Sequence, residues 1–117
     1  MKYVCLGFVE PGKLEGMAGE IFEYNAHLRA NGHLVAEATL QPPETALTLY
    51  WKNGKVATID GACAESREKL GGIHILEARD LNDAIQLISQ HPVMKHGVIE
   101  IRPAAGPAPR DPGAMPR

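Results

Sequence analysis

Two one-sided helices, each flanked by extended segments, constrain this chain more than any other feature. Met17, Ile21, Tyr24 and Leu28 recur at steps of four, three and four within residues 17–31, so a helix there carries one apolar stripe. Glu20, Glu23 and Arg29 fall off it. Asn31-Gly32 ends it, since glycine accepts the left-handed conformation of a helix C-terminus. A second stripe, Leu81, Ala84, Ile85 and Ile88, follows Asp80. Asp80 caps that helix, with Asp83 standing in for the glutamate of a capping box, and His91-Pro92 closes it. A helix with one apolar stripe must bury it against another layer.

The segments around these helices read as strands. Residues 2–9 carry Tyr3, Val4, Phe8 and Val9 and stop at Pro11-Gly12. They are nearly apolar on both faces, which predicts a central strand. A second strand covers 34–40 and stops at Pro42-Pro43. A third, 45–52, is rich in Thr, Leu, Tyr and Trp and meets Asn53-Gly54, a strong hairpin signal, with 55–59 as its partner. Residues 60–72 are polar, glycine-bounded and expected to hold a short helical turn. Strands follow at 73–79 and 98–102. The order is β-α-β, a hairpin insertion, then β-α-β. That is an α+β, ferredoxin-like pattern: an antiparallel sheet with two helices on one face. The other face stays open, and a partly apolar open face predicts a homodimer. Residues 1–103 form the expected domain. Residues 104–117, mostly Pro, Gly and Ala, form a tail without regular structure.

Charge narrows the function classes. Twelve basic and 14 acidic residues give a net charge of −2, with no basic run. Attraction to nucleic-acid phosphates or an anionic membrane is therefore weak. No stretch approaches the roughly 20 apolar residues of a membrane span, and the N-terminus lacks a signal-peptide pattern. Cys5 and Cys63 suit neither a redox motif nor a zinc site, so the expectation is a soluble cytoplasmic protein with reduced thiols. No pair among His27, His33, His74, His91 and His96 has metal-ligand spacing with a supporting carboxylate, so no metal is expected. Without a phosphate loop, nucleophile elbow or dinucleotide fingerprint, no cofactor is expected either.

Several side chains could carry chemistry. Asp60 follows a strand and opens a glycine-containing loop. It reads as a general base if burial raises its pKa, or as a turn-forming Asp bonded to its own backbone. Glu65 and Glu68 are three apart, on one side of any helical turn, with Arg67 between them. They read as an acid–base pair or as a solvated face. Alternation in the last strand puts Ile99 and Ile101 under the helices and Glu100 and Arg102 on the open face. The same logic assigns Val4, Leu6 and Phe8 to the helices, and Tyr3, Cys5 and Gly7 to the open face. With Ile73 and Ile75 facing the helices, His74 joins the open side. Tyr3, His74, Glu100 and Arg102 then share one concavity, a pocket or a hydrogen-bonded dimer interface. His27 reads as a surface or groove residue. His91 reads as a helix-end cation.

The run Asp60-Gly61-Ala62-Cys63-Ala64-Glu65-Ser66-Arg67-Glu68, then Leu70-Gly71-Gly72, resembles the signature of the DGPF branch of the YCII-related family. The likeness continues through Glu77, Asp80-Leu81, Ala84-Ile85 and the closing Glu100-Ile101-Arg102-Pro103. Ala62-Cys63 stands where the family has Pro-Phe. The resemblance implies a dimeric α+β barrel and an aspartate, here Asp60, in a cleft near the dimer interface. In the broader family a His and an Asp are proposed as a catalytic pair, and one relative is a dehydrochlorinase of a chlorinated hydroxyquinol. The expectation is a small-molecule-binding protein or a lyase- or hydrolase-like enzyme, with Asp60, Glu65 and His74 as catalytic candidates. Tyr3, Arg67, Glu100 and Arg102 are the ligand-binding candidates. The resemblance also leaves open a noncatalytic regulator associated with a sigma factor of the extracytoplasmic-function type.

Overall fold

The computed structural model describes residues 1–10, 12–63 and 69–106. Six strands and two helices run in the order β1 Lys2–Val9, α1 Ala18–Ala30, β2 Leu34–Thr39, β3 Leu47–Lys52, β4 Lys55–Asp60, β5 Lys69–Glu77, α2 Leu81–Ile88 and β6 Gly97–Pro103. The main sheet has the order β2-β5-β1-β6, with every neighbouring pair antiparallel. β3 and β4 pair separately as a hairpin. With that hairpin set aside, the chain is a ferredoxin-like βαββαβ fold, as its element order predicts. The tail beyond residue 106 lies outside the described residues.

Local chemistry sets the element ends. The Asp80 carboxylate accepts the Asp83 N–H at 2.9 Å, and the Asp83 carboxylate accepts the Arg79 N–H at 2.9 Å. This reciprocal pair satisfies donors that a helix start leaves free. At the hairpin tip Asn53 and Gly54 both take positive φ, 52° and 75°, as a type I′ turn requires. At Gly97 a Cβ would run into the Phe8 carbonyl, so β6 can approach β1 there only with glycine. β5 begins at Lys69 rather than at residue 73, because Leu70 and Lys69 pair with Phe8 and Val9 past an irregularity after Gly7.

Helices and sheet enclose the core. Cys5, Leu28, Leu34, Leu76 and Ile88 form one buried cluster. Val9, Met17, Ile21 and Val93 form a second, and Tyr3, Ala78 and Ala84 a third. Ile99 and Ile101 pack beneath the helices as their alternation predicts. The α2 stripe is rotated from the expected one: Ala84, Leu87 and Ile88 face inward, while Leu81 and Ile85 are exposed.

The predicted parity of β1 is reversed. Tyr3, Cys5 and Val9 are buried under the helices, and Val4, Leu6 and Phe8 lie half-exposed on the open face. His74 and Leu76 likewise face the helices, and Ile73 and Ile75 the open side. Both strands are apolar on both sides, so their side-chain pattern cannot choose a face. The β1-α1-β2 connection joins two parallel strands flanking β5, and the right-handedness of such crossovers decides which face the helix covers.

Candidate functional site

A cleft of about 540 Å³ lies where the hairpin base meets the open side of the sheet. Phe8 and Leu70 form its sheet wall, Leu40, Pro42 and Pro43 its loop wall, and Leu47 its hairpin wall. The Thr45 and Thr48 hydroxyls in this wall donate to backbone, to the Pro42 and Gly61 carbonyls, each at 2.7 Å. Gln41, Lys69 and the exposed Cys63 thiol supply the remaining polar groups. Such a mostly apolar space with a few placed polar groups suits a small organic molecule.

Asp60 is the last residue of β4, exposed, and opposite Leu47 in the hairpin ladder. Asp60 is not itself among the residues that line the cleft, whereas Leu47, which shares its face of the hairpin, is. Among the described residues the Asp60 carboxylate accepts no hydrogen bond. The turn after it is made instead by Gly61, with φ of 102° and its N–H donating to the Ala46 carbonyl at 2.8 Å. The next residues, Ala62 and Cys63, line the cleft. Glu65 and Arg67 lie outside the described residues.

The four residues expected in one concavity are divided by the sheet. Glu100 and Arg102 are on the open face, exposed and ion-paired with each other. Tyr3 is buried against Ala78 and Ala84 on the helix side. His74 is buried there too, on the face opposite Phe8 and Leu70, the sheet wall of the cleft. The parity reversal described above is the physical reason.

Beneath the helices His74 belongs to a polar cluster that comes from three elements. His74 Nε2 lies 2.8 Å and His91 Nε2 3.3 Å from Asn25 Oδ1. The Val93 N–H donates to His91 Nδ1 at 3.1 Å. That bond fixes His91 as the neutral Nε2–H tautomer, so Asn25 must present its oxygen, and His74 Nε2 must also donate. The two imidazoles meet edge to face at 4.6 Å. Burial lowers the His91 pKa to about 4, with neighbouring His74 adding to the effect. Burial also lowers that of His74, against an opposing pull from Glu37. His91 is therefore a buried neutral side chain that caps the Pro92–Lys95 turn, not the helix-end cation expected. A cavity of about 20 Å³ beside Cys5, His74 and His91 has room for roughly one water. Burial pushes the Cys5 thiol up to about 11, which leaves it unreactive at neutral pH.

Asn25 escaped the sequence reading, although a signal existed. It lies four residues after Ile21 and three before Leu28, on the apolar stripe itself. A carboxamide there needs a buried partner. Among the described residues no group of three or more His, Cys, Asp or Glu side chains is arranged to hold a metal, and no helix is long and apolar enough to cross a membrane.

The model of the YCII-related domain matches residues 1–105, nearly the whole chain. The chain belongs to the YCII-related family. No curated protein matches its sequence. Among solved structures it is similar to 5-chloro-2-hydroxyhydroquinone dehydrochlorinase from Burkholderia phenoliruptrix, determined in complex with 2,5-dihydroxybenzoquinone. Identity is 14%, the match covers 90% of this chain and 94% of the other, and the TM-score is 0.53. This likeness concerns the fold, which the YCII-related chain shares.

Proposed function

We propose that this YCII-related protein binds a small, largely apolar organic molecule in the cleft between hairpin base and sheet, with Asp60 as the acid–base group at its rim. The carrying observation is the coincidence of the cleft with the loop that begins at Asp60: Leu47, Ala62 and Cys63 line it, and Asp60 adjoins them. A carboxylate that accepts no hydrogen bond among the described residues can take up or release a ligand proton. The paired histidine of the broader family has no counterpart here in His74, which the sheet screens from the cleft. The protein acts as a homodimer in this reading. Val4, Leu6, Phe8, Ile73 and Ile75 give the open face an apolar surface that a second copy would cover.

The test uses 2,5-dihydroxybenzoquinone, the molecule bound in the structural neighbour, as probe. Calorimetric titration is expected to show saturable binding, and Cys63→Phe, which puts a ring into the cleft wall, to abolish it. Asp60→Asn is expected to change the affinity for the probe at a fixed pH, and an unchanged affinity would remove Asp60 from the site. Binding that Cys63→Phe leaves intact would place the ligand elsewhere. Absence of saturable binding would refute the probe class.

A further inference from the structure

The ligand cleft does not end at its loop wall. A second space of about 90 Å³ adjoins it, and the two share Leu40, Gln41, Pro42, Pro43, Lys69 and Leu70. The shared wall is therefore the segment after β2 together with the first residues of β5. The smaller chamber continues past that wall to the end of β1, where Val9, Leu14 and Gly71 bound it. Among the described residues its lining is mostly apolar, and the exposed Glu15 is its one carboxylate.

Local bonding holds the shared wall in place. The Leu40 N–H donates to the Gly71 carbonyl at 2.8 Å, which ties the loop to β5. The Pro42 carbonyl accepts both the Thr45 N–H at 2.9 Å and the Thr45 hydroxyl at 2.7 Å. Pro42 and Pro43 add two fixed φ angles. Two apolar side chains of this wall, Leu40 and Leu70, are nevertheless 39% and 38% exposed. A preformed wall leaves little ordering to be done on binding. Apolar surface facing a narrow space favours an apolar occupant over water.

The far end of the chamber is closed by packing. A Cβ on Gly71 would stand 2.6 Å from Leu14 Cδ1 and 3.1 Å from Val9 Cγ2, so Leu14 rests directly on the Gly71 backbone. Val9, Leu14 and Gly71 also border the cavity of about 20 Å³ beside His74. Leu14 therefore stands between the chamber and that cavity.

We propose that the ligand has two parts: a ring that fills the wide cleft, and an unbranched alkyl tail that fills the narrow chamber and stops at Leu14. The inference rests on the cleft reading above and adds the substrate class, small ring compounds with an alkyl side chain. A space of 90 Å³ holds about three to six methylene-sized groups. Each methylene taken out of water tightens binding about fourfold.

The experiment titrates the full chain calorimetrically with 2,5-dihydroxybenzoquinone and with its 3-alkyl derivatives, from methyl to octyl. The expected result is one-to-one binding that tightens about fourfold per methylene, by at least about fiftyfold in all, and then levels off after about three to six. Glu15→Trp, which puts an indole into the chamber wall, should abolish the gain of the hexyl derivative over the parent quinone. Leu14→Ala, which opens the chamber toward the inner cavity, should move the plateau to longer chains. Circular dichroism confirms that each variant is folded. Parent binding with no gain from the tail overturns the tail chamber and leaves the cleft reading standing. A gain that neither variant alters places the tail elsewhere and also overturns it. Binding of no member of the series overturns both readings.

Discussion

The body of the molecule and its hairpin arm are built on opposite terms. In the body, two helices close over the sheet. Leu76 is fully buried there, and the buried imidazoles of His74 and His91 are hydrogen-bonded to Asn25. In the arm, apolar side chains stand in water on both faces, held by one ladder and a type I′ turn. Folding stability therefore resides in the body. The proposed ligand cleft lies at the base of the arm.

That contrast predicts a graded response to substitution. Leu76→Ala should destabilise the body most, by about 3–4 kcal/mol, since a fully enclosed leucine leaves both a transfer loss and a cavity. Urea unfolding at pH 7 measures it, and a cost below about 1 kcal/mol would show that the sheet–helix core is not the stabilising region.

Acid should act nearly as strongly, and on the body alone. The His91 pKa is about 4 in the folded state and about 6.5 unfolded. Between these values the unfolded chain binds the extra proton, so stability falls as pH falls. The contribution is fully present above about pH 6.5. It is lost toward pH 4, by about 3 kcal/mol, and the lowered His74 pKa acts in the same direction. Unfolding curves at pH 7 and pH 5 check this. Equal stability at both would mean that the buried imidazoles titrate normally.

The smallest effect on the body should come from the arm's turn. Gly54→Ala places a Cβ at a φ of 75° and should cost about 1 kcal/mol locally. It should fray the hairpin amides in hydrogen exchange and leave the unfolding midpoint of the body unchanged. A co-operative loss of the body's midpoint would show that arm and body fold as one unit.

Much of this contrast was legible before any coordinates. Met17, Ile21 and Leu28 are buried as their spacing predicts, Asp80 caps α2, and Asn53-Gly54 turns the hairpin. Each is local: a period, a cap or a turn depends on residues a few positions apart.

What stayed hidden involves distance. His74 on β5, Asn25 on α1 and His91 after α2 meet only because the sheet order and the crossover bring three segments together. Leu40, Pro42 and Pro43 become a cleft wall only because the hairpin base stands opposite Phe8 and Leu70. The sequence by itself determined the element order, the helix ends, the hairpin and the α+β class, all through short-range periodicity and backbone preference. The tertiary structure decided which face of β1 and β5 the helices cover. Both faces of those strands are apolar, so burial of either would satisfy the side chains, and only the handedness of the connection breaks the tie. That one choice took Tyr3 and His74 away from Glu100 and Arg102, and left an apolar sheet face and a two-faced arm on the outside of the same chain.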